Sequence, residues 1–146
     1  KVHPGFRAIF TSNPQEYAGV HSSQDALMDR LITIYTGYYD RETEIKITAA
    51  RSGLPEEDAA RVVDLVRLVR GRHSTGHRPS IRAAIAIARV MAHLDVPADP
   101  AKPAFLDICR DVLGAGAAGG RPLSTEQLRS AMDELAVERQ AAPAEG

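Results

Sequence analysis

Phe6-Arg7-Ala8-Ile9-Phe10-Thr11-Ser12-Asn13-Pro14 is an apolar run that stops at Ser-Asn-Pro, and Asp25-Ala26-Leu27-Met28-Asp29-Arg30-Leu31 leads into a second apolar run at residues 31–35. Residues 6–10 have the short apolar character of a buried strand, interrupted by Arg7. Pro14 cannot continue a central strand and biases Asn13 toward an extended backbone. Residues 15–23, with Gly19, Ser22 and Ser23 among polar groups, read as a surface loop. Residues 24–30 read as a short helix capped by Ser23. Isoleucine, threonine and tyrosine within residues 31–35 suit a second strand, ended by Gly37. Two strands joined by a helical crossover belong in a parallel sheet, and two alone are marginal. The opening stretch is therefore expected to lack its sheet partners, and the chain, which starts at Lys1, reads as a fragment. A strand ending in asparagine and a helix ending in arginine suit phosphate handling. The amide orients a water or a phosphate, and the arginine neutralises charge on a transferring phosphoryl group.

Downstream the pattern is all helix. Asp40 caps a helix that runs to Ser52 and stops at Gly53. Pro55 opens the next, with Glu56 and Glu57 in its first turn, where they favour the positive end of the dipole. Its apolar stripe is Ala59, Val62, Val63, Val66 and Val69, with Arg61, Asp64 and Arg67 on other faces and Gly71 at its end. A polar loop, residues 72–77, leads to Pro79-Ser80 and a third helix bearing Ile81, Ala84, Ile85, Ala88, Met91 and Ala92 on one side. A proline-rich joint at residues 96–103 precedes a fourth helix over residues 104–113, with Phe105, Ile108 and Val112 inward. Residues 114–120 read as a flexible glycine-alanine linker. Ser124 and Gln127 form a capping box for a last helix with Leu128, Met132 and Leu135. The tail from Ala141 is expected to fray.

Composition narrows the partners. The chain has 146 residues, which makes one domain or one small domain plus a fragment of another, and 44% of them are hydrophobic, enough for a packed core. A formal net charge of −1 gives no long-range pull toward nucleic acid or an anionic membrane. No run of about 20 apolar residues is present to span a bilayer, and no signal-peptide pattern opens the chain. The lone Cys109 can form no internal disulfide, which fits a reducing cytoplasm.

Taken together, His3-Pro4-Gly5-Phe6-Arg7, the Thr11-Ser12-Asn13-Pro14-Gln15-Glu16-Tyr17-Ala18-Gly19-Val20-His21 run and Gln24-Asp25-Ala26-Leu27-Met28-Asp29-Arg30-Leu31 resemble the second half of an AAA+ ATPase core of the MoxR-like branch. The wording Val20-His21-Ser22-Ser23-Gln24-Asp25-Ala26-Leu27, with Tyr38-Tyr39-Asp40-Arg41-Glu42-Thr43-Glu44, is similar to the gas vesicle GvpN group within it. The resemblance covers residues 2 to about 113. It implies a fold class: an α/β remnant of a P-loop ATPase core (the last two parallel strands) followed by an all-α lid. Residues 1–37 would end the core, residues 38–113 would form the lid, and residues 114–146 would be linker, final helix and tail. It also implies roles: Asn13 as first sensor, Arg30 as an arginine finger, both catalytic, and Arg82, in His77-Arg78-Pro79-Ser80-Ile81-Arg82-Ala83, as the nucleotide-binding second sensor on the lid. ATP and Mg2+ would be the cofactors of the full-length protein, a hexameric ring its working unit, and gas vesicle structural or accessory proteins its cytoplasmic partners.

Elementary chemistry supports those residue types. A finger needs a charge that never deprotonates and a fork that matches phosphate oxygens, so lysine is no equal substitute. Arg82 at a helix start opposes the dipole unless an anion sits nearby, which sets it apart from Arg89. Each residue also has a plainer reading. Asn13 before Pro14 suits a simple turn. Arg30 suits a surface pair with Asp25 or Asp29, and Arg82 a solvated helix position. His73 and His77 stand four apart in a Gly-Ser-Thr loop and make no zinc pattern, so no metal ligands are assigned. Cys109 falls with Phe105 and Val112 on a core face. The basic residues 67–73 read as a solvated helix end rather than a nucleic-acid patch.

No Gly-x-x-x-x-Gly-Lys-Ser/Thr loop occurs, and no apolar strand ends in an Asp-Glu pair. The chain alone is therefore expected not to hydrolyse ATP, the Mg2+ ligands lying outside it. Two alternatives remain: a MoxR-like chaperone ATPase of the metal-insertion type, and a non-enzymatic helical interaction module.

Overall fold

Asp40 starts the first helix by giving its carboxylate to the orphan N–H groups of the first turn: the Thr43 backbone N–H donates to Oδ1 at 2.9 Å and the Thr43 hydroxyl to Oδ2 at 2.8 Å. These bonds, the backbone one foremost, hold the Asp40 carboxyl below its ordinary range. The computed structural model describes residues 3–11, 30–72, 78–115 and 124–141. Among them are five helices: α1 (Arg41–Ser52), α2 (Glu56–Arg72), α3 (Ile81–Leu94), α4 (Pro103–Ala115) and α5 (Thr125–Ala141).

Their ends follow local chemistry. Gly53 closes α1 in the left-handed region at φ 81°, where its N–H reaches the Ala49 carbonyl at 2.8 Å. Ser80 caps α3, accepting from the Arg82 N–H at 3.3 Å, and Asp95 closes that helix at φ 52°. Ser124 and Gln127 form the reciprocal box expected of them, at 2.8 and 3.1 Å. α2 runs one residue past Gly71, and α4 extends through Gly114.

The chain divides into two units, Lys1–Gly37 and Tyr38–Gly146. The second holds all five helices. α1 packs on α2 and α3, α2 also on α3, and α4 on α3, while α5 lies against both α2 and α4. Ile45, Leu65, Val66, Ile87, Met91, Phe105, Leu106, Cys109, Leu128 and Met132 form one continuous core. The α2 stripe is buried as its period required. On α3 the period is right but the phase is shifted, so that Ile87 is fully buried and Ala92 is exposed.

The first unit differs from expectation. Residues 6–10 and 31–35 form no strand among the described residues, and Phe6, Ile9, Phe10, Ile32, Ile34 and Tyr35 are exposed. A strand is defined by its ladder, and neither segment has a described ladder partner. The helix expected over residues 24–30 lies outside the described residues apart from Arg30, which sits in a turn.

Two outcomes test this packing. Ile87→Ala should cost about 2–5 kcal/mol in chemical denaturation, whereas Ala92→Ser should stay within about 0.5 kcal/mol. Burial pushes the Cys109 thiol up from 9.0 to about 12. The folded chain holds that proton more tightly than the unfolded chain does. The contribution to stability is therefore complete below the ordinary value and is lost as pH rises toward the shifted one. At pH 8 an aromatic disulfide reagent should titrate no thiol in the native chain and one after denaturation; prompt labelling of the native chain would contradict this burial.

Candidate functional site

Of the three residues singled out for nucleotide chemistry, Asn13 lies outside the described residues. Arg30 stands at an exposed turn of the first unit. Arg82 belongs to the second unit, exposed in the first turn of α3, where no acidic residue offsets the dipole. No described residue gives the Arg82 guanidinium an ion pair. A cation so placed costs about 0.3–1 kcal/mol against the helix dipole and is relieved by an anion. That fits a phosphate group.

What holds this helix start is a cluster that sequence reasoning missed. Glu44 on α1 is buried, and both its oxygens are bound across to α2. Arg67 Nη1 donates to Oε2 at 3.0 Å and Arg70 Nη2 to Oε1 at 2.9 Å. Arg67 Nη1 also reaches the Tyr39 carbonyl at 3.2 Å. Arg70 is itself buried, its Nε donates to the Pro79 carbonyl at 2.7 Å, and its guanidinium lies 4.0 Å from the Tyr38 ring centroid. A second cross-helix pair is bidentate: Arg41 Nε and Nη2 meet the two Asp64 oxygens at 2.6 and 2.8 Å. Hydrogen bonding to Asp64 holds the Arg41 guanidinium more firmly protonated than usual.

These contacts correct one expectation and refine another. Arg67 and Arg70 are not a solvated helix end, because buried Glu44 binds both. Asp64, placed only on a face other than the apolar stripe, is buried beneath Arg41. A usable signal was present: Glu44 stands beside Ile45 and one turn before Thr48, and Arg67 and Arg70 are one turn apart beside Val66 and Val69. The stretch Tyr38 to Glu44 supplies a ring, a carbonyl, a helix cap and three ion-pair partners. It is scaffold.

Other locations offer less. A cleft of about 530 Å³ lined by Arg61, Asp64, Ala98, Asp99, Met132 and Leu135, among others, includes neither Arg30 nor Arg82. Among the described residues no group of three or more His, Cys, Asp or Glu stands close enough to hold a metal ion. His73 and His77 lie outside those residues. No described helix is long and apolar enough to cross a membrane.

The geometry thus defines a small helical domain, cross-braced by buried ion pairs, that presents an arginine at a helix start. Comparison with known proteins supplies the relatives: over the stretch they share, the chain is similar to proteins named gas vesicle ATPase GvpN. It is 50% identical over 140 residues to the gas vesicle ATPase GvpN of Ancylobacter aquaticus, a match covering 92% of this chain and 39% of that protein. It is 45% identical to the protein of that name in Haloferax mediterranei, over 78% of this chain and 32% of the relative. GvpN1 of Halobacterium salinarum is 41% identical, over 93% of this chain and 39% of the relative. The chain therefore spans between about a third and two-fifths of the length of these relatives. No protein-family model matches it, and no solved structure does.

Removing Glu44 should expose the dependence of the braced arrangement on one carboxylate. Glu44→Ala leaves Arg70 buried without its counter-charge and should cost about 3–5 kcal/mol in denaturant unfolding. A loss below about 1 kcal/mol would mean that the carboxylate is not holding the arginines.

Proposed function

We propose that this chain is the C-terminal part of an AAA+ ATPase of the MoxR-like branch that assists gas vesicle assembly. The observation that carries the proposal is 38–50% identity, over most of the chain, to four proteins named gas vesicle ATPases. Residues 1–37 are the end of the ATPase core, whose exposed apolar side chains at Ile9, Ile32 and Ile34 suit completion by the rest of a sheet. Residues 38–113 are the lid.

Each proposed role follows from charge and placement. Arg82, at a helix start where no described residue forms an ion pair with it, takes the phosphates of ATP from the lid side. Asn13 orients water at the terminal phosphate from the core side. Arg30 reaches the nucleotide of a neighbouring subunit, so the working unit is a ring, a hexamer in this reading, acting in the cytoplasm on gas vesicle proteins. ATP with Mg2+ supplies the phosphoryl group and its charge compensation; the Mg2+ ligands and the phosphate loop belong to the remainder of the protein. The guanidinium of Arg30 cannot ionise away, and its fork matches two phosphate oxygens at once. Two bodies touching one nucleotide convert its hydrolysis into relative motion.

The test is ATP turnover of the full-length protein with Arg30→Ala subunits mixed in at rising fractions. Uniform Arg30→Ala rings should lose about 10³-fold or more in turnover, as fingers do elsewhere. Mixed rings should fall faster than the wild-type fraction. A strictly proportional fall would sink the trans role, and a full-length protein inert toward ATP would favour the interaction-module reading.

A further inference from the structure

We propose that Arg70 is a positioning residue for Arg82: locked by Glu44, it fixes the start of α3 and thereby the place from which Arg82 meets phosphate. The inference rests on the reading of Arg82 given above and goes beyond it, to a residue that touches no nucleotide.

Three observations carry it. First, the first turn of α3 is already satisfied locally, since Ser80 supplies its hydroxyl to the Arg82 N–H and its carbonyl to the Ala83 N–H at 2.9 Å. The bond from Arg70 Nε to the Pro79 carbonyl is therefore not needed to make the helix; it sets where the helix begins. Second, Arg70 has little freedom of its own. Glu44 holds one end of the fork, Pro79 the other edge, and the Tyr38 ring covers the face. Third, α3 is held again farther along, where Arg89 Nε donates to the Arg51 carbonyl at 3.1 Å. With two grips, α3 cannot tilt about its middle without breaking one of them. Pro79 is buried and lies three residues before Arg82, so a displacement of that carbonyl passes directly to the first helical turn.

A lysine at position 70 separates position from charge. Its ammonium can still compensate Glu44, but it lacks the planar fork that binds Glu44 and the Pro79 carbonyl together. The experiment is a double-mutant cycle in the full-length protein, reading kcat and KM for ATP together with thermal melting, on wild type, Arg70→Lys, Arg82→Ala and the double variant. Arg41→Lys is the stability control, because it loosens the other α1–α2 ion pair, a more exposed one, without removing the bond to the Pro79 carbonyl.

Arg70→Lys should lower kcat/KM about ten- to a hundredfold, the usual scale for misplacing a reacting geometry by an ångström, while the protein still melts as a folded chain above the assay temperature. In the Arg82→Ala background the same change should matter by less than about twofold, since nothing is left to position. Equal losses in both backgrounds, or no loss in either, overturn the proposal and leave Arg70 purely structural. If Arg82→Ala alone leaves ATP affinity and turnover unchanged, the nucleotide role of Arg82 fails and this inference falls with it, a result distinct from additive losses. Should Arg70→Lys not fold, Glu44→Gln takes its place in the cycle, with the same outcomes deciding.

Discussion

One carboxylate, Glu44, is the constraint on which the helical unit depends. Removing a charge from water costs several kcal/mol even after relaxation, so a buried glutamate persists only with partners at both oxygens. Here the partners are Arg67 and Arg70, and meeting that demand fixes α1 against α2 at one register. Apolar residues of similar volume often match such pairs in stability, so the value of the pair to the chain is better sought in geometry than in surplus stability. The arginine fork provides that geometry. Arg70 has a second edge to offer, and it offers it to the Pro79 carbonyl, bringing the start of α3 into the same arrangement.

The rest of the unit follows from that frame. With α1, α2 and α3 fixed, the apolar sides of α2 and α3 close over Leu65, Val66, Ile87 and Met91. α4 adds Phe105, Leu106 and Cys109. α5 covers what remains with Leu128, Ala131 and Met132, and Glu134 pairs with Arg72 at the end of α2. Among the described residues the cation at the front of α3 has no ion pair, whereas the charges that brace the frame are matched. Arg41 has Asp64, Arg61 has Glu57 and Asp58, and Arg67 and Arg70 share Glu44. Arg82 stands in a first turn with no acid, and no described residue forms an ion pair with it.

How much of this was legible depended on distance along the chain. The caps at Asp40, Gly53 and Ser124 were readable because each is satisfied within a few residues, and a local bond leaves a local pattern. The α2 stripe was readable for the same reason. On α3 the period was legible but not the phase, because alanine, isoleucine and methionine surround the helix and only tertiary contact decides that Ile87 faces in and Ala92 out. The Glu44 cluster escaped because its partners lie 23 and 26 residues away, where three charged residues look like solvated helix faces. The strands at residues 6–10 and 31–35 were inferred from β propensity, which describes a fit to a pleated, half-buried surface and cannot supply the neighbouring strand. Of the candidate site, Arg82 was placed where Pro79-Ser80 indicated, and Asn13 lies outside the described residues.

The boundary between the two units falls at Gly37 and Tyr38. The chain gains its first hold on the helical unit at once: Tyr38 lies under Arg70 and Tyr39 gives its carbonyl to Arg67. There is no slack between the junction and the frame. Tension along the backbone at this point would bear first on the two arginines that grip Glu44, and through one of them on the front of α3.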